Sequence, residues 1–470
     1  MYKRFIVSIV LLFVFVGVKA QYTKLLDFNG FANGSHPYGS LYYDGTYLYG
    51  VTDSGGVNGD GTIFKIKPDG TAYSKLIDFN DTNGSKPMGS LISDGIFLYG
   101  MTFSGGANSA GVIFRIKPDG TRDTVILNFS MSATNGGNPF GSLIYDGTFL
   151  YGTINFGGAG PPYANNWGLI FKVKPDGTGY TVLYYFDDIH GYEPVCSLVT
   201  DGTYLYGMTY IGGAQNRGVV YKIKKDGTGY TDLLDFNNTN GSNPQGSLIY
   251  DGSSYLYGVT GNGGASGKGV LFKVKNDGTK DTVLFNFSGT NGSYPDGSLI
   301  YDGTSYLYGM TGNGGATDSG TVFRLKTDGT GYLDLFDFGS VNGANPYGSL
   351  VSDGTYLYGM TMHGGANNLG VVFKYNYSTA GIKQLSENEE PVSIYPHPVC
   401  SSSTLSFNNQ NRCKFFLDIY SNNGAMVSSS NTNIDSFTLQ KQNFIAGIYF
   451  YHLYNAENNI SIYNKIIFVN

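Results

Sequence analysis

The sequence predicts an all-β protein: a seven-bladed β-propeller of four-stranded antiparallel blades, followed by a small β-sandwich domain. Three observations predict it. One unit of about fifty residues recurs seven times, each unit holds four short runs rich in β-branched and aromatic residues, and the repeat region starts and stops out of phase. The 70 glycines are accompanied by 40 tyrosines and 31 phenylalanines, which provide the apolar area that a core needs.

Each unit reads S-L-x-x-D-G, then Y/F-L-Y-G, a G-G pair and a G-φ-φ-F/Y-K/R segment, where φ is an apolar residue. In one unit the predicted strands are 247–250, 255–260, 270–275 and 282–287. Asp-Gly between apolar runs is typical of tight hairpin turns, so each unit is predicted to be a four-stranded meander. The first Asp-Gly of each unit falls at Asp44, Asp94, Asp146, Asp201, Asp251, Asp302 and Asp353.

The two ends of the repeat region indicate a closed ring. Residues 22–28 have the sequence of a fourth segment but precede the first unit, and the seventh unit lacks a fourth segment after 371–374. The N-terminal strand is therefore predicted to complete the seventh blade. The alternative, an open β-solenoid, would need caps at both ends.

In this arrangement the Asp-Gly turns lie on one face of the disc, and the G-G and N-G-x-x-P loops lie on the other. Insertions fall in the second set of loops, at 131–132 and at 160–167. Insertions on one face are typical of a binding face, so the long-loop face is where we expect a ligand.

The S-L-x-x-D-G-x-x-L-Y-G and G-G-A blocks, seen at 98–100, 256–258 and 307–309, resemble the GloVer-type tandem repeats of exported bacterial proteins. The resemblance covers residues 22–376. It implies export but no catalytic residues.

Residues 1–20 are predicted to be a secretory signal, with Lys3 and Arg4 before an apolar run at 5–16. The mature chain then starts at Gln21 and forms the propeller over 21–376. It contains no later transmembrane stretch. A net charge of −6 without any basic run argues against nucleic acid and anionic membranes as partners.

Residues 377–390 are predicted to be a polar linker, and 391–470 a β-sandwich with strands at 405–407, 415–420, 447–454 and 465–469. Four motifs occur in this domain, with the residues Tyr395, Pro396, Pro398, Gly424, Gly447, Tyr449 and Lys465.

Through these motifs the domain resembles the C-terminal sorting domain of the type IX secretion system, although His397 stands where that family usually has Asn. The resemblance implies the type IX machinery as a partner and a protein secreted or attached to the outer cell surface. The alternative is an ordinary ligand-binding sandwich.

One local group of titratable side chains stands out, at Asp187, Asp188, His190 and Glu193. A glycosidase needs two carboxyl groups about 5 to 10 Å apart, and this loop could supply one or both. The scattered histidines are expected to be exposed loop residues rather than a composite metal site. We expect no metal and no cofactor.

Binding has better support in the sequence than chemistry. Trp167, the only tryptophan, follows Tyr163 in the longest insertion, and Tyr192 occupies a loop of the same face. Exposed aromatic side chains stack on sugars or anchor protein partners. The alternative is that Trp167 fills the seam between two blades. Tyr38, Tyr294 and Tyr347, in or beside the N-G-x-x-P loops, could widen the platform.

The three cysteines leave one question open. Cys400 and Cys413 could form a disulfide or remain two half-buried thiols, whereas Cys196, which replaces a glycine of the other repeats, is expected to be buried.

The sequence thus predicts a secreted or surface-displayed propeller that binds or scaffolds a glycan or protein ligand. The alternative is a polysaccharide-active hydrolase or lyase with its site around Asp187, Asp188, His190 and Glu193. A purely structural surface-layer role is the third possibility.

Overall fold

The structure is a computed structural model that describes residues 21–132, 134–158, 167–377, 393–395, 399, 401–407, 409, 412–421, 426–444, 447–455 and 460–468. The chain divides into two compact units, the first ending at Asn376 and the second beginning at Tyr377. Among the described residues, no helix is long and apolar enough to cross a membrane. Several features predicted from the sequence lie outside the described residues. They are the signal segment, the linker from 378 to 390, and the residues Tyr163, Pro396, Pro398, Cys400 and Gly424.

The first unit consists of seven four-stranded antiparallel sheets, which are the blades of a propeller. The first strand of the chain is β1 (Tyr22–Asp27). Blades 1 to 3 contain β2 (Tyr42–Tyr43), β3 (Leu48–Thr52), β4 (Thr62–Ile66) and β5 (Ser74–Asp78); β6 (Ile92–Ser93), β7 (Leu98–Thr102), β8 (Val112–Ile116) and β9 (Thr124–Asn128); β10 (Ile144–Tyr145), β11 (Leu150–Ile154), β12 (Leu169–Val173) and β13 (Thr181–Tyr185).

The remaining blades follow the same order, from a two-residue inner strand to a longer outer one. Blades 4 to 7 contain β14 (Val199–Thr200), β15 (Tyr204–Met208), β16 (Val219–Lys224) and β17 (Thr231–Asp235); β18 (Ile249–Tyr250), β19 (Tyr255–Thr260), β20 (Val270–Lys275) and β21 (Thr282–Asn286); β22 (Ile300–Tyr301), β23 (Tyr306–Thr311), β24 (Thr321–Lys326) and β25 (Leu333–Asp337); β26 (Val351–Ser352), β27 (Tyr356–Thr361) and β28 (Val371–Asn376). The four strands predicted per unit are confirmed.

Strand β1 closes the ring. It pairs antiparallel with β28, with Tyr22 opposite Tyr375 and Asp27 opposite Val371, so the seventh sheet has the order β1-β28-β27-β26. Phe28 follows β1 and is fully buried. The predicted closed propeller is therefore confirmed, and the open solenoid is wrong.

Seven serines at the start of the inner strands form a second closed ring. The backbone N–H of each serine donates to the hydroxyl of the serine in the next blade over 2.7–2.9 Å. Because each blade is linked to the next by the same bond, the axis is held by a continuous hydrogen-bond circuit. The serines are Ser40, Ser90, Ser142, Ser197, Ser247, Ser298 and Ser349.

The glycine of the Y-G block leaves room for an aromatic side chain of the neighbouring strand. A Cβ on Gly258 would lie 2.7 Å from Phe272 Cζ, and Gly309 has the same relationship to Phe323. Both phenylalanines are buried. The pattern explains why glycine recurs in the middle of a buried strand, where it is otherwise unfavourable.

The Asp-Gly turns are fixed by the aspartate side chain. Asp94 Oδ1 accepts the N–H groups of Ile96 and Phe97, and its Oδ2 accepts the hydroxyl of Tyr99. Partial burial raises the pKa of Asp94, but these hydrogen bonds outweigh it and hold that pKa below its usual value. The aspartate side chain thus stabilises the tight turns that the Asp-Gly pairs predict.

Basic side chains in the third strands join neighbouring blades. Lys222 lies over the Tyr204 ring at 5.1 Å and donates to the carbonyl of Asn276 in the next blade over 3.0 Å. Lys374 of the seventh blade does the same with the Tyr356 ring and with the carbonyl of Pro68 in the first. Cation–π contacts of this kind recur in all seven blades.

The C-terminal unit is a β-sandwich, as predicted. One sheet contains β29 (Ser393–Tyr395), β30 (Ser402–Ser406) and β33 (Ser436–Gln440); the other contains β31 (Phe415–Ser421), β32 (Met426–Thr432), β34 (Gly447–Asn455) and β35 (Ile460–Phe468), and a 3₁₀ turn spans Lys441–Asn443. Leu405 and Phe437 of the first sheet pack in one core with Leu417 and Leu453 of the second. Strand β32 was not predicted because it is mostly exposed and polar, which leaves no apolar alternation to detect.

Candidate functional site

The loop that enters each blade carries the same short motif. It starts with a variable residue, here called X, followed by proline and by a second variable residue, here called z. Gly-Ser follows the z residue in six repeats, and Cys196-Ser197 follows it in the fourth. The X residue has a positive φ of 52° to 56° in every repeat, although it precedes proline. This shared left-handed turn brings the z residue to the propeller axis. The X residues are His36, Lys86, Asn138, Glu193, Asn243, Tyr294 and Asn345.

The seven z residues surround the end of the axis on the long-loop face, which we call the axial mouth. Together with the Gly and Ser residues of the same loops they line a shallow recess of about 60 Å³ that is open to solvent. This recess is much smaller than a pocket that encloses a whole small-molecule ligand. The z residues are Tyr38, Met88, Phe140, Val195, Gln245, Asp296 and Tyr347.

Aromatic side chains form one side of the axial mouth. The Tyr38 ring stacks on that of Tyr347 at 5.3 Å between centroids and meets the edge of Phe140 at 5.2 Å. Burial, and then the nearby charge of Asp296, raise the pKa of Tyr38, so its hydroxyl stays protonated. The sequence placed Tyr38 and Tyr347 on this face, but not in contact.

Asp296 supplies the carboxyl group of the axial mouth. Its Oδ1 has no hydrogen-bond partner and no exposure to solvent, although the side chain as a whole is only half-buried. Burial raises the pKa of Asp296 to about 7. A group with this pKa carries a negative charge on about half of the molecules at neutral pH.

A recess in blades 5 and 6 accommodates these side chains. A Cβ on Gly261 would lie 2.9 Å from Asp296 Oδ1, and one on Gly312 would lie 3.1 Å from Tyr347 Cε1. The other blades carry larger residues at this position, so the axial mouth is asymmetric. Those residues are Asp53, Phe103, Asn155, Tyr210 and Met362.

Two further carboxyl groups belong to the same loops. Burial raises the pKa of Asp53 against the opposing effect of Lys86 and His36, and burial raises the pKa of Glu193. Burial, and then the charges of Asp296 and Glu193, raise the pKa of the Tyr210 hydroxyl. Three carboxyl groups with raised pKa values therefore lie in or near the axial mouth.

The structure divides the titratable group predicted from the sequence. His190 Nδ1 lies 2.9 Å from Asp187 Oδ1, and Asp188 is exposed in the same loop. Glu193 instead belongs to the loop that reaches the axial mouth, and its N–H donates to the Trp167 carbonyl over 3.1 Å. A catalytic or binding role for these residues stays a prediction.

Sequence reasoning missed Asp232, which lies near His190 in the fourth blade. Burial raises the pKa of Asp232 to about 6, whereas the charge of His190 lowers it, and Asp232 Oδ1 has no hydrogen-bond partner. No sequence signal marks it, since Asp232 stands on an outer strand far from the loop of His190 in the chain.

Trp167 is half-buried between blades 3 and 4. Its ring stacks on Tyr192 at 6.0 Å, and both pack against a cluster that includes Ile170 and Val219. This is the placement that the seam alternative describes, and ligand binding by Trp167 stays a prediction.

Two of the three long-loop histidines come together. The rings of His36 and His363 are 5.2 Å apart, and burial together with His36 lowers the pKa of His363. His190 is engaged with Asp187 instead. Within the described part of the chain, no three His, Cys, Asp or Glu side chains are grouped closely enough to hold a metal ion.

Cys196 is buried, as expected for a residue that replaces a glycine beside the axis. Burial raises the pKa of its thiol. Pairing of Cys400 with Cys413 stays a prediction, because Cys400 lies outside the described residues.

Two family models match the chain. The Gloeobacter/Verrucomicrobia repeat matches residues 11–161, 149–306 and 250–396, and the secretion system C-terminal sorting domain matches 393–469. Of the sorting-motif residues, Gly447 and Tyr449 lie in β34, Lys465 in β35 and Tyr395 in β29. The two resemblances read from the motifs are thus confirmed.

A search of curated protein sequences gives no significant match. Among solved structures, the chain is similar to PorZ, described as an essential surface component of the type IX secretion system of Porphyromonas gingivalis, with 14% identity and a TM-score of 0.47; the match covers 95% of this chain and 61% of PorZ. It is also similar to a putative 6-phosphogluconolactonase from Bacteroides uniformis, with 16% identity, a TM-score of 0.46 and coverage of 72% and 93%. The polysaccharide lyase Uly1 gives 10% identity, a TM-score of 0.41 and coverage of 74% and 91%.

Proposed function

The chain belongs to the Gloeobacter/Verrucomicrobia repeat family and ends in a type IX secretion sorting domain, and from this premise we propose that its propeller is a binding and scaffolding module at the cell surface. The sorting domain directs the protein to the cell surface or the medium. We further propose that the protein is attached to the outer surface and that its propeller binds a glycan or protein ligand.

The composition of the axial mouth carries this proposal. Seven repeats share the proline, six share the following glycine and all share the serine, yet the z residue between them is of six different types. The fold therefore does not require a particular side chain there. Side chains that vary on a constant frame, and that converge on one open cavity, are suited to recognising a ligand.

A hydrolase or lyase has one observation in its favour, because a carboxyl group with a pKa of about 7 can act as a general acid or base. Glycosidases use two carboxyl groups across the scissile bond. The seven z positions supply Asp296 alone, so binding accounts for the axial mouth better than catalysis does.

The test uses the full mature chain, residues 21–470, on a printed glycan array and on outer-membrane extracts. We expect Tyr38→Ala with Tyr347→Ala to lower retention at least tenfold, since both faces of the aromatic wall are removed. Phe31→Ala is the matched control, because Phe31 is 70% exposed in a loop that enters the first blade but lies outside the axial mouth.

Trp167→Ala forms a separate arm of the same experiment. Loss of binding in this variant, with full binding in the Tyr38 and Tyr347 variant, would move the site to the seam of blades 3 and 4. Equal retention by all variants would contradict a ligand site on this face. Circular dichroism of each variant checks that the blades are intact.

A further inference from the structure

We propose that the axial mouth binds the ammonium group of a lysine side chain presented by a protein or peptide partner, with the carboxyl group of Asp296 as its counter-charge and Tyr38 and Tyr347 as its aromatic wall. The inference rests on the proposed function, and it names the chemistry of the ligand.

The first step is that, among the described residues, no positive charge and no hydrogen bond to Oδ1 compensates the carboxyl group of Asp296. Its Oδ1 is buried without a hydrogen-bond partner. The titratable groups that face it are the hydroxyls of Tyr38, Tyr210 and Tyr347, none of which carries a positive charge. Burying a carboxyl group without a partner is unfavourable. Because Oδ1 itself is closed to solvent, a cation in the axial mouth would offset that penalty through the charge of the carboxyl group rather than through a hydrogen bond to Oδ1.

The second step is the apolar character of the remaining wall. Five of the seven z residues are aromatic or apolar, and only Gln245 and Asp296 are polar without an aromatic ring. A sugar presents hydroxyl groups in several directions and needs several polar partners. A lysine presents an apolar stem and one charged head, which matches an aromatic wall with a single carboxyl group.

The third step is the sign of the surrounding charge. None of the z residues is basic, and Lys86, the basic X residue, lies beside Asp53. Asp53 and Glu193 are acidic groups of the same face, and Lys268 lies over the Tyr294 ring at 5.3 Å, outside the lining of the mouth. The lining itself carries one acidic group and no basic one, which favours cations over the carboxylates or sulfates of acidic polysaccharides.

The probe is a fluorescein-labelled decapeptide of alternating glycine and lysine, measured by fluorescence anisotropy against the full mature chain at pH 8. Its matched control is the same peptide with every lysine acetylated at Nζ, which keeps the stem and removes the charge. We expect acetylation to weaken binding at least tenfold.

Three variants locate the interaction. Asp296→Asn should weaken binding of the lysine peptide at least tenfold, and Gly261→Ala, which crowds Asp296 Oδ1 without changing the charge, should weaken it severalfold. Asp281→Asn removes one exposed carboxyl group outside the axial mouth and should leave binding unchanged. Because Asp296 must be ionised, affinity should rise about tenfold between pH 6 and pH 8.

Equal binding of the acetylated peptide, or an equal loss in Asp296→Asn and Asp281→Asn, would overturn the proposal. Competition by neutral chitotriose at the concentration of the peptide would also overturn it, in favour of a sugar. If extracts or glycans bind through Tyr38 and Tyr347 but the lysine peptide does not, the ammonium assignment fails while the binding module stands.

Discussion

Ser349 donates its backbone N–H to the hydroxyl of Ser40 over 2.7 Å, although 309 residues separate the two in the chain. The bond has the same geometry as the six between consecutive blades, so the junction of the seventh and first blades is built like every other junction.

Phe28→Ala should destabilise the propeller as much as Phe338→Ala does. Both side chains are fully buried and occupy the same place in the repeat, although Phe28 comes from the chain start. Each substitution should lower the free energy of unfolding by about 3–5 kcal/mol, measured by urea denaturation. A loss below about 1 kcal/mol for Phe28→Ala alone would mean that the first strand is not part of the ring.

Gly309→Ala should destabilise the sixth blade by overpacking. The added Cβ would come within 2.7 Å of Phe323 Cζ and 2.9 Å of Leu299 Cδ2, so the ring has to move, at about 1–3 kcal/mol. Gly339→Ala is the control, since its nearest neighbour, Thr317 Oγ1, would be 3.7 Å away. Thermal melting of both variants distinguishes them, and equal melting temperatures would contradict the tight contact.

Asp296→Asn should stabilise the protein above neutral pH and leave it unchanged near pH 4. The pKa of Asp296 is raised to about 7, so the folded state binds a proton that the unfolded state releases between about pH 4 and pH 7. The wild-type protein therefore loses stability as the pH rises through that range. Asp296→Asn avoids this loss, so its free energy of unfolding at pH 8 should be higher by about 1–2 kcal/mol, a value reduced for partial solvent access.

Asp94→Asn should destabilise the protein at neutral pH and have little effect below about pH 4, which is the opposite of Asp296→Asn. The pKa of Asp94 is lowered on balance by the bonds from Phe97, Tyr99 and Ile96, so its contribution is present at neutral pH and is lost as the pH falls below about 4. Urea titrations of both variants at pH 4 and pH 8 check the two signs. Parallel pH profiles for the two variants would contradict the contrast between the axial mouth and the turns.

Removal of residues 391–470 should abolish surface display. This segment matches a secretion sorting domain over 393–469, and the propeller forms a separate compact unit that ends at Asn376. Immunoblots of surface, medium and periplasmic fractions measure the outcome against the full chain. Normal display of the truncated chain would contradict the sorting role.

Most of the propeller could be predicted from the sequence because each structural device recurs in it. The Asp-Gly turns, the buried glycine of the Y-G block and the displaced first strand all leave residues at fixed spacing. Strand β32 could not be predicted as readily, since Met426–Thr432 has few apolar residues and takes its conformation from pairing with β31.

The candidate site was predicted only in part. The long-loop face and two of its tyrosines follow from the repeat, but Asp296 acquires its character from burial against Gly261, which is 35 residues earlier and in another blade. Trp167 is the single tryptophan and was predicted to bind a ligand, yet its ring is half-buried against Tyr192. Side-chain environment of this kind depends on tertiary packing, which spacing in a sequence does not reveal.

The pairing of β1 with β28 also brings the two ends of the repeat region together, because Asn376 donates its N–H to the carbonyl of Gln21 over 2.7 Å. A short linker could join these ends without disturbing a blade, and new ends could be opened at the exposed turn of Gly303 and Thr304. Seven circular permutations of the repeat region, each with its ends in a different blade, would therefore form the same closed ring. The ring does not depend on which blade carries the ends of the chain.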